Sequence, residues 1–373
     1  GASLAFDTGA NDRSYTTAIA DTGQGALGLV KDGTGTLSLS GTNTYSGGTT
    51  VTAGTVEIAS TASLPGFDQA GDYTVASGAT LAVANAVNDQ AVADMLGTGN
   101  FQAGSNFGFD TTSGDRTYSS TIANTASGAL GLVKTGPGTL TLSGTNTYAG
   151  GTTVTKGAIA IASAASLPGY NTNGSYSVSG GGTMAVGNSV TDSEITDMLG
   201  TTNFQAGAVL GFDTASGDRS YSSAIADTAQ GSLGLTKTGS DALTLSGTST
   251  YTGPTTVEDG QLFVNGSLTS TSAVSVTGGA LGGTGSIASG LSVGGAGTLS
   301  PGDASSPIGA FSAGATTLAA GATFGFEVDS TNPNTLATAA DLMVVNGNLN
   351  IASGSILDFT DIASSVNLFP DQT

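Results

Sequence analysis

Residues 40–51 read SGTNTYSGGTTV, residues 143–154 read SGTNTYAGGTTV and residues 246–257 read SGTSTYTGPTTV, each copy 103 positions after the last. A polar, glycine-laced dodecamer kept nearly letter for letter marks either a repeated binding site or a repeated piece of architecture. The third copy separates the two readings. Ser249 and Pro254 replace an asparagine and a glycine, while Gly247, Tyr251 and Val257 stay in phase. Proline removes an N–H and would block a ligand that approaches bare backbone. The stretch therefore reads as a corner followed by the start of a strand, with Gly47-Gly48 and Gly150-Gly151 allowing positive φ at the turn.

The 103-residue offset extends well beyond the dodecamer. It aligns Gly1, Gly104 and Gly207, Phe6, Phe109 and Phe212, and Tyr45, Tyr148 and Tyr251. Six of the seven basic residues obey it: Arg13, Arg116 and Arg219, and Lys31, Lys134 and Lys237. The chain divides into repeat unit 1 at 1–103, unit 2 at 104–206, a partial unit 3 at 207–264 and a divergent C-terminal region at 265–373.

Within a unit, Leu37 and Leu39 alternate with serine, Val56 and Ile58 flank Glu57, and Leu81 and Val83 flank Ala82, at spacings of 19 and 25 residues. Period-two alternation is the signature of a half-buried strand, and 19 to 25 residues is about one coil of a solenoid. The expected fold is all-β, a parallel β-solenoid of four to five coils per unit, with a hairpin sandwich as the alternative. Residues 88–96 and 191–199 break the strand rhythm. Val92, Met95 and Leu96, and Ile195, Met198 and Leu199, take helical spacing, and Thr191 with Glu194 forms a capping box. Each segment is expected to be a short helix, either an apolar lid on the coils or a docking handle.

Composition narrows the function. The chain has 373 residues, 60 of them Gly, with no Cys, His or Trp. Seven basic against 27 acidic residues give a formal charge of −20. Nucleic-acid reading, which needs a basic stripe, is excluded. No apolar run reaches the roughly 20 residues of a membrane-spanning helix. The sequence does not open with Met or a signal peptide and is expected to be a mature or excised piece of a longer precursor.

VKDGTGTLSLSGTNTYSGGTTVTAGTVEIAS and its copy VKTGPGTLTLSGTNTYAGGTTVTKGAIAIAS resemble the autotransporter-associated β-strand repeat of bacterial autotransporter passengers, through Leu37, Gly41, Asn43, Tyr45, Gly48, Val51 and Gly54. GGTGSIASGLSVGGAGTLSPGD at 282–303 and DLMVVNGNLNIASGSILDF at 341–359 resemble the last coils of such passengers. The resemblance implies a right-handed parallel β-helix with short helical insertions, exported to the extracellular or outer surface of a Gram-negative-type bacterium. No series of amphipathic barrel strands follows Asp361.

Without His or Cys, histidine-based triads, thiol chemistry and ordinary zinc or copper sites are closed. Carboxylate pairs remain: Asp7 with Asp12, Asp110 with Asp115, and Asp213 with Asp218, each beside an arginine. A catalytic site occurs once, whereas these occur three times, so they read as ion pairs in which Arg13, Arg116 and Arg219 hold a neighbouring aspartate. Tyr45, Tyr148 and Tyr251 read as corner packing rather than a sugar-binding strip, and the asparagines beside them as caps of backbone groups. The acidic surplus reads as a solvated face rather than calcium sites, since no EF-hand or nonapeptide spacing is present.

No catalytic, cofactor-binding or metal-binding residue is assigned, and no cofactor is expected. The expected function is non-enzymatic: a stiff shaft of a surface fibre, stalk or filament. The alternatives are an adhesin passenger for host or matrix glycans or proteins and, below it, a polysaccharide-degrading β-helix enzyme. An adhesive surface is sought in the non-repeated region after 264, including Phe324 and Phe326. Expected partners are the chain itself, head to tail or laterally, or surface glycans and matrix. Unit 1 opens in phase at Gly1 without a cap, so an upstream repeat or another molecule is expected to stack there.

Overall fold

The computed structural model describes residues 1–269, 272–329 and 339–362. Every strand ladder among them is parallel, which removes the hairpin sandwich. The chain forms two compact units, Gly1–Met184 with Thr201–Phe204, and Ala185–Gly200 with Gln205–Thr373.

In the first unit, strands Ala2–Asp7, Leu27–Asp32, Thr49–Val51 and Tyr73–Val75 stack into one sheet. Arg13–Tyr15, Thr36–Leu39, Thr55–Ile58 and Thr80–Ala84 stack into a second. Alternation decides which side chains turn inward. Leu37, Leu39, Val56, Ile58, Leu81 and Val83 are all buried, and consecutive coils place them in register, Leu37 against Val56 and Val56 against Leu81. Burying such a side chain contributes about 1.5–3 kcal/mol, so the inward rows drive coil-on-coil stacking. The fold is a parallel β-helix, as the alternation implies.

The sides do not stay in phase with the sequence repeat. Phe6, Lys31, Val51, Val75 and Phe101 occupy successive rungs of one side. Four coils therefore use the 95 residues from Phe6 to Phe101, and a repeat of 103 overshoots by eight, roughly the length of one side. Phe109, the sequence counterpart of Phe6, consequently lands on the next side, stacked on Val83 and under Lys134.

In the second unit, from Leu233 onward, three sheets run side by side among the described residues. One sheet holds Leu233–Thr238, Thr255–Val257, Val274–Val276, Leu291–Val293, Thr316–Leu318 and Leu349–Ile351. A second holds Ala242–Leu245, Gln261–Val264, Ala280–Gly283, Thr298–Pro301, Thr323–Val328 and Ile356–Asp361. The third runs Thr248–Ser249, Ser267–Leu268, Ser286–Ile287, Ala310–Ala313 and Leu342–Val345.

Two α-helices occur among the described residues, α1 (Asp89–Gly97) and α2 (Asp192–Leu199). Asn88 caps the first through Ala91 N, and the Thr191–Glu194 capping box opens the second. Val92 and Met95 in α1, and Ile195 and Met198 in α2, are buried, while Leu96 and Leu199 are half-buried. Each helix is a lid with its apolar stripe packed down, not a projecting handle.

Candidate functional site

The repeated polar residues lead into the interior. Asn43 and Asn146 are almost wholly buried, on the side of the first unit that carries loops instead of strands. The Asn43 Oδ1 accepts from Ile19 N at 2.8 Å, one coil back, and its Nδ2 donates to Ser63 O at 2.7 Å, one coil forward. Asn146 repeats this between Ile122 N and Ser166 O. Each side-chain amide thus clips three successive coils where no strand ladder does so. The Ser249 Oγ accepts from Ile225 N at 3.2 Å, one coil back, but is too short to span the next coil as asparagine does, and there the backbone supplies the link: Thr248–Ser249 pairs with Ser267–Leu268. The replacement of asparagine by serine coincides with a loop side becoming a sheet.

Tyr45, Tyr148 and Tyr251 are buried, each hydroxyl bonded to the threonine four residues on at 2.5–2.6 Å. They offer no sugar-stacking strip. The two glycines of the corner have different tasks. A Cβ on Gly47 or Gly150 would lie 2.5 Å from the backbone N of Gly28 or Gly131, so close approach demands glycine there. Positive φ belongs to the second glycine, Gly48 (φ +77°) and Gly151 (φ +84°). Its carbonyl accepts from the leucine of the preceding coil, a bond that Pro254 also provides, to Leu235 N at 2.9 Å. Pro254 cannot take the positive φ of Gly48 and Gly151, so the third corner differs in backbone conformation while keeping this bond.

Lys31, Lys134 and Lys237 are fully buried, which sequence reasoning missed. Each ammonium donates to three backbone carbonyls: Asp32, Gly33 and Ala53 around Lys31, Thr135, Gly136 and Lys156 around Lys134, and Thr238, Gly239 and Asp259 around Lys237, all at 2.7–3.1 Å. Three N–H donors meet three acceptors, so the charge is compensated without a carboxylate in contact. Gly54 and Gly260 make room, since a Cβ there would reach 2.8 Å from the Nζ of Lys31 or Lys237. Burial pulls the Lys134 and Lys237 ammonium groups down to about 8, against the pull of nearby aspartates, and it lowers Lys31 as well. Lys134 and Lys237 remain cationic at neutral pH.

The carboxylate pairs are divided among structural tasks. Asp12, Asp115 and Asp218 accept from the backbone N of Thr36, Thr139 and Ala242, 24 residues on, while Asp7, Asp110 and Asp213 close local turns. The expected arginine pairing needs correction. Arg116 bonds Asp89 at 2.8 Å and Arg219 bonds Asp192 at 3.1 Å, first-turn residues of α1 and α2, instead of the aspartates next to them in sequence. Arg219 also donates to the Gly187 and Val190 carbonyls. Arg13 forms no ion pair among the described residues, although all three guanidinium groups lie over a phenylalanine at 4.8–5.4 Å. The contacts place Arg116 and Arg219 as latches on the helical lids.

Outward-facing chemistry of another kind appears where the repeat ends. On the second sheet of the second unit, Thr244, Phe263, Gly282 and Ser300 form an outward row. Phe263 stands where units 1 and 2 carry Glu57 and Ala160. A groove of about 350 Å³ opens beside it, lined by Gln261, Ser300, Asp303 and Glu327 among others. Its wall, the 302–309 loop, is pinned twice. Asp303 accepts from Ser305 N, Ser305 Oγ, Ser306 N and Asn265 Nδ2, and the buried Asp341 accepts from both Gly309 N and Glu327 N. Burial, and then the charge of Asp341, hold the Glu327 carboxyl above the usual range. Phe324 and Phe326 lie elsewhere, in a separate apolar cavity of about 460 Å³ with Leu318, Leu357 and Phe359.

The passenger-associated-transport-repeat family matches residues 29–58, 132–161 and 235–264. Each match brackets one lysine cage and one asparagine or serine clip. The chain carries three copies of this repeat. It is also 32% identical over 272 residues to the adhesin BmaC autotransporter of Brucella suis biovar 1 (strain 1330), an alignment covering 63% of the chain. The chain spans only 8% of that relative's length. Among its described residues no helix is long and apolar enough to cross a membrane.

Proposed function

We propose that this passenger segment is a non-enzymatic structural element, a stiff β-solenoid shaft displayed on the outer surface of a Gram-negative-type bacterium. The observation that carries the reading is the use of the repeated polar groups. The asparagines, caged lysines, latch arginines and corner tyrosines all bond or pack within the coils, leaving the repeats no constellation directed at a substrate. The sequence divisions at 1–103, 104–206, 207–264 and 265–373 then serve as modules of one shaft. Self-association, head to tail or lateral, belongs to the same reading and is tested by sedimentation over a concentration series. The direct test is length. Inserting a second copy of residues 104–206 adds four coils and a side, so the maximum dimension from small-angle scattering should grow by about 20 Å at constant cross-section. A growth in cross-section without growth in length overturns the shaft.

A second reading, an adhesive passenger, is supported by the name of the Brucella relative and by the outward groove at Phe263. It locates adhesion where the last repeat copy meets the divergent region and leaves the earlier repeats as support.

A further inference from the structure

The groove beside Phe263 combines features that the rest of the surface chemistry described above does not bring together. Phe263 is half-buried on an outward position, so part of its ring is open to a partner. The floor next to it is bare backbone at Gly282, whose missing Cβ lets the Ser300 and Gly302 carbonyls approach to 2.3 and 2.8 Å from where that atom would stand. Polar groups stand around this flat strip: Gln261, Thr298 and Ser300 on the sheet, and Glu327 at the far edge. The wall opposite is held by the Asp303 and Asp341 networks, so the shape exists before anything binds and little ordering is required on binding.

We propose that this groove is a binding site for a neutral saccharide, one or two pyranose rings long. The apolar face of a pyranose packs on an aromatic ring, and its hydroxyls both donate and accept. That matches Phe263 flanked by an amide, hydroxyls and a carboxylate. A volume of about 350 Å³ falls at the small end of ordinary ligand sites, consistent with a short glycan segment. Charge selects among glycans. Asp303 and Glu327 border the groove in a chain of formal charge −20, so sialylated and sulfated sugars meet repulsion. The site goes beyond the shaft and rests on the adhesive reading, to which it gives a ligand class.

The test uses the full 373-residue chain on an array of neutral, amino, sialylated and sulfated oligosaccharides, followed by calorimetric titration of the best-retained sugar. The expected result is retention of neutral sugars, a loss of affinity of at least tenfold in Phe263→Ala, retention in Phe263→Trp, and a weaker loss in Glu327→Ala. Thermal melting should be unchanged in all three variants, because these side chains lie outside the inward rows. The proposal is overturned if no neutral sugar is retained, if anionic sugars are preferred, or if Phe263→Ala binds as the parent does. If the chain nevertheless coats a matrix-protein surface under those outcomes, the groove assignment fails while the adhesive reading stands.

Discussion

Replacing Lys134 by Met tests whether the buried ammonium groups hold the coils together. Methionine matches the length of the lysine stem and keeps its apolar packing, but it donates nothing. The carbonyls of Thr135, Gly136 and Lys156, now at 2.8–3.1 Å from Nζ, would lose their common donor. The Thr135 carbonyl keeps Thr111 N and Oγ1, so two carbonyls lose their donor at about 1–3 kcal/mol each, and removing the desolvated charge offsets part of the sum, for a net loss of about 2–4 kcal/mol. An array of coils need not unfold in one step, so a local measurement is preferable to a melting curve. Hydrogen exchange should show roughly 30- to 1,000-fold less protection in strands Leu130–Thr135 and Thr152–Val154, with the coils around Lys237 unaffected. Lys134→Arg should not rescue, because a planar guanidinium cannot place three donors on this cluster of carbonyls. Unchanged or increased protection in Lys134→Met would refute the idea that the cage contributes to stability.

The asparagine clip gives a graded expectation: Asn146→Ala should cost about 2 kcal/mol by losing two buried hydrogen bonds, and Asn146→Ser about half as much, read by exchange at Ile122 N. The corner should discriminate between adjacent glycines, with Gly150→Ala costing at least about 3 kcal/mol through backbone collision and Gly151→Ala about 1 kcal/mol through its positive φ; equal effects would contradict the division of tasks. Alkaline pH should act in two directions. Lys134 and Lys237 titrate near 8 when folded against 10.5 in the unfolded chain, so the unfolded state holds more protons in that window and stability rises with pH. Tyr73, Tyr148, Tyr176 and Tyr251 are raised from 10 to about 12, so above pH 10 the unfolded chain releases protons that the folded chain keeps, and stability falls. Urea midpoints from pH 7 to 12 should therefore pass through a maximum near pH 10, and a monotonic decline from pH 7 would count against the lysine half of the argument.

The strands and helices were legible because their signals are local. Leu37 and Leu39 alternate with serine over four residues, and Thr191 with Glu194 announces a helix within one turn. What escaped depends on contacts between coils. Asp89 lies 27 residues before Arg116 but one coil beneath it, whereas Asp115 is its neighbour in sequence and was the natural, incorrect partner. The side-to-side shift escaped because aligning residues at 103 positions says nothing about which side they occupy. Coil lengths, set by Phe6, Lys31, Val51 and Val75, were needed. The lysine cages had a signal that went unread. Lys31 shares strand parity with the buried Leu29, and the inward position of a charge, repeated three times beside Gly33 and Gly54, requires an internal partner.

That parity also separates what the repeat conserves from what it leaves open. Inward and clip positions are coupled from coil to coil, so a change such as asparagine to Ser249 must be met by a new ladder, here Thr248–Ser249 on Ser267–Leu268. Outward sheet positions are coupled more loosely, as by the Ser38–Glu57 contact between adjacent coils. The same position reads Glu57, Ala160 and Phe263 in the three units with the buried neighbours Val56, Ile159 and Leu262 unchanged in role. A surface with ligand chemistry can therefore be written on one rung without disturbing the stack, and a site grafted on a regular fold needs only that freedom. The Phe263 groove arises at such a position, where the 302–309 loop adds a wall that the regular coils lack.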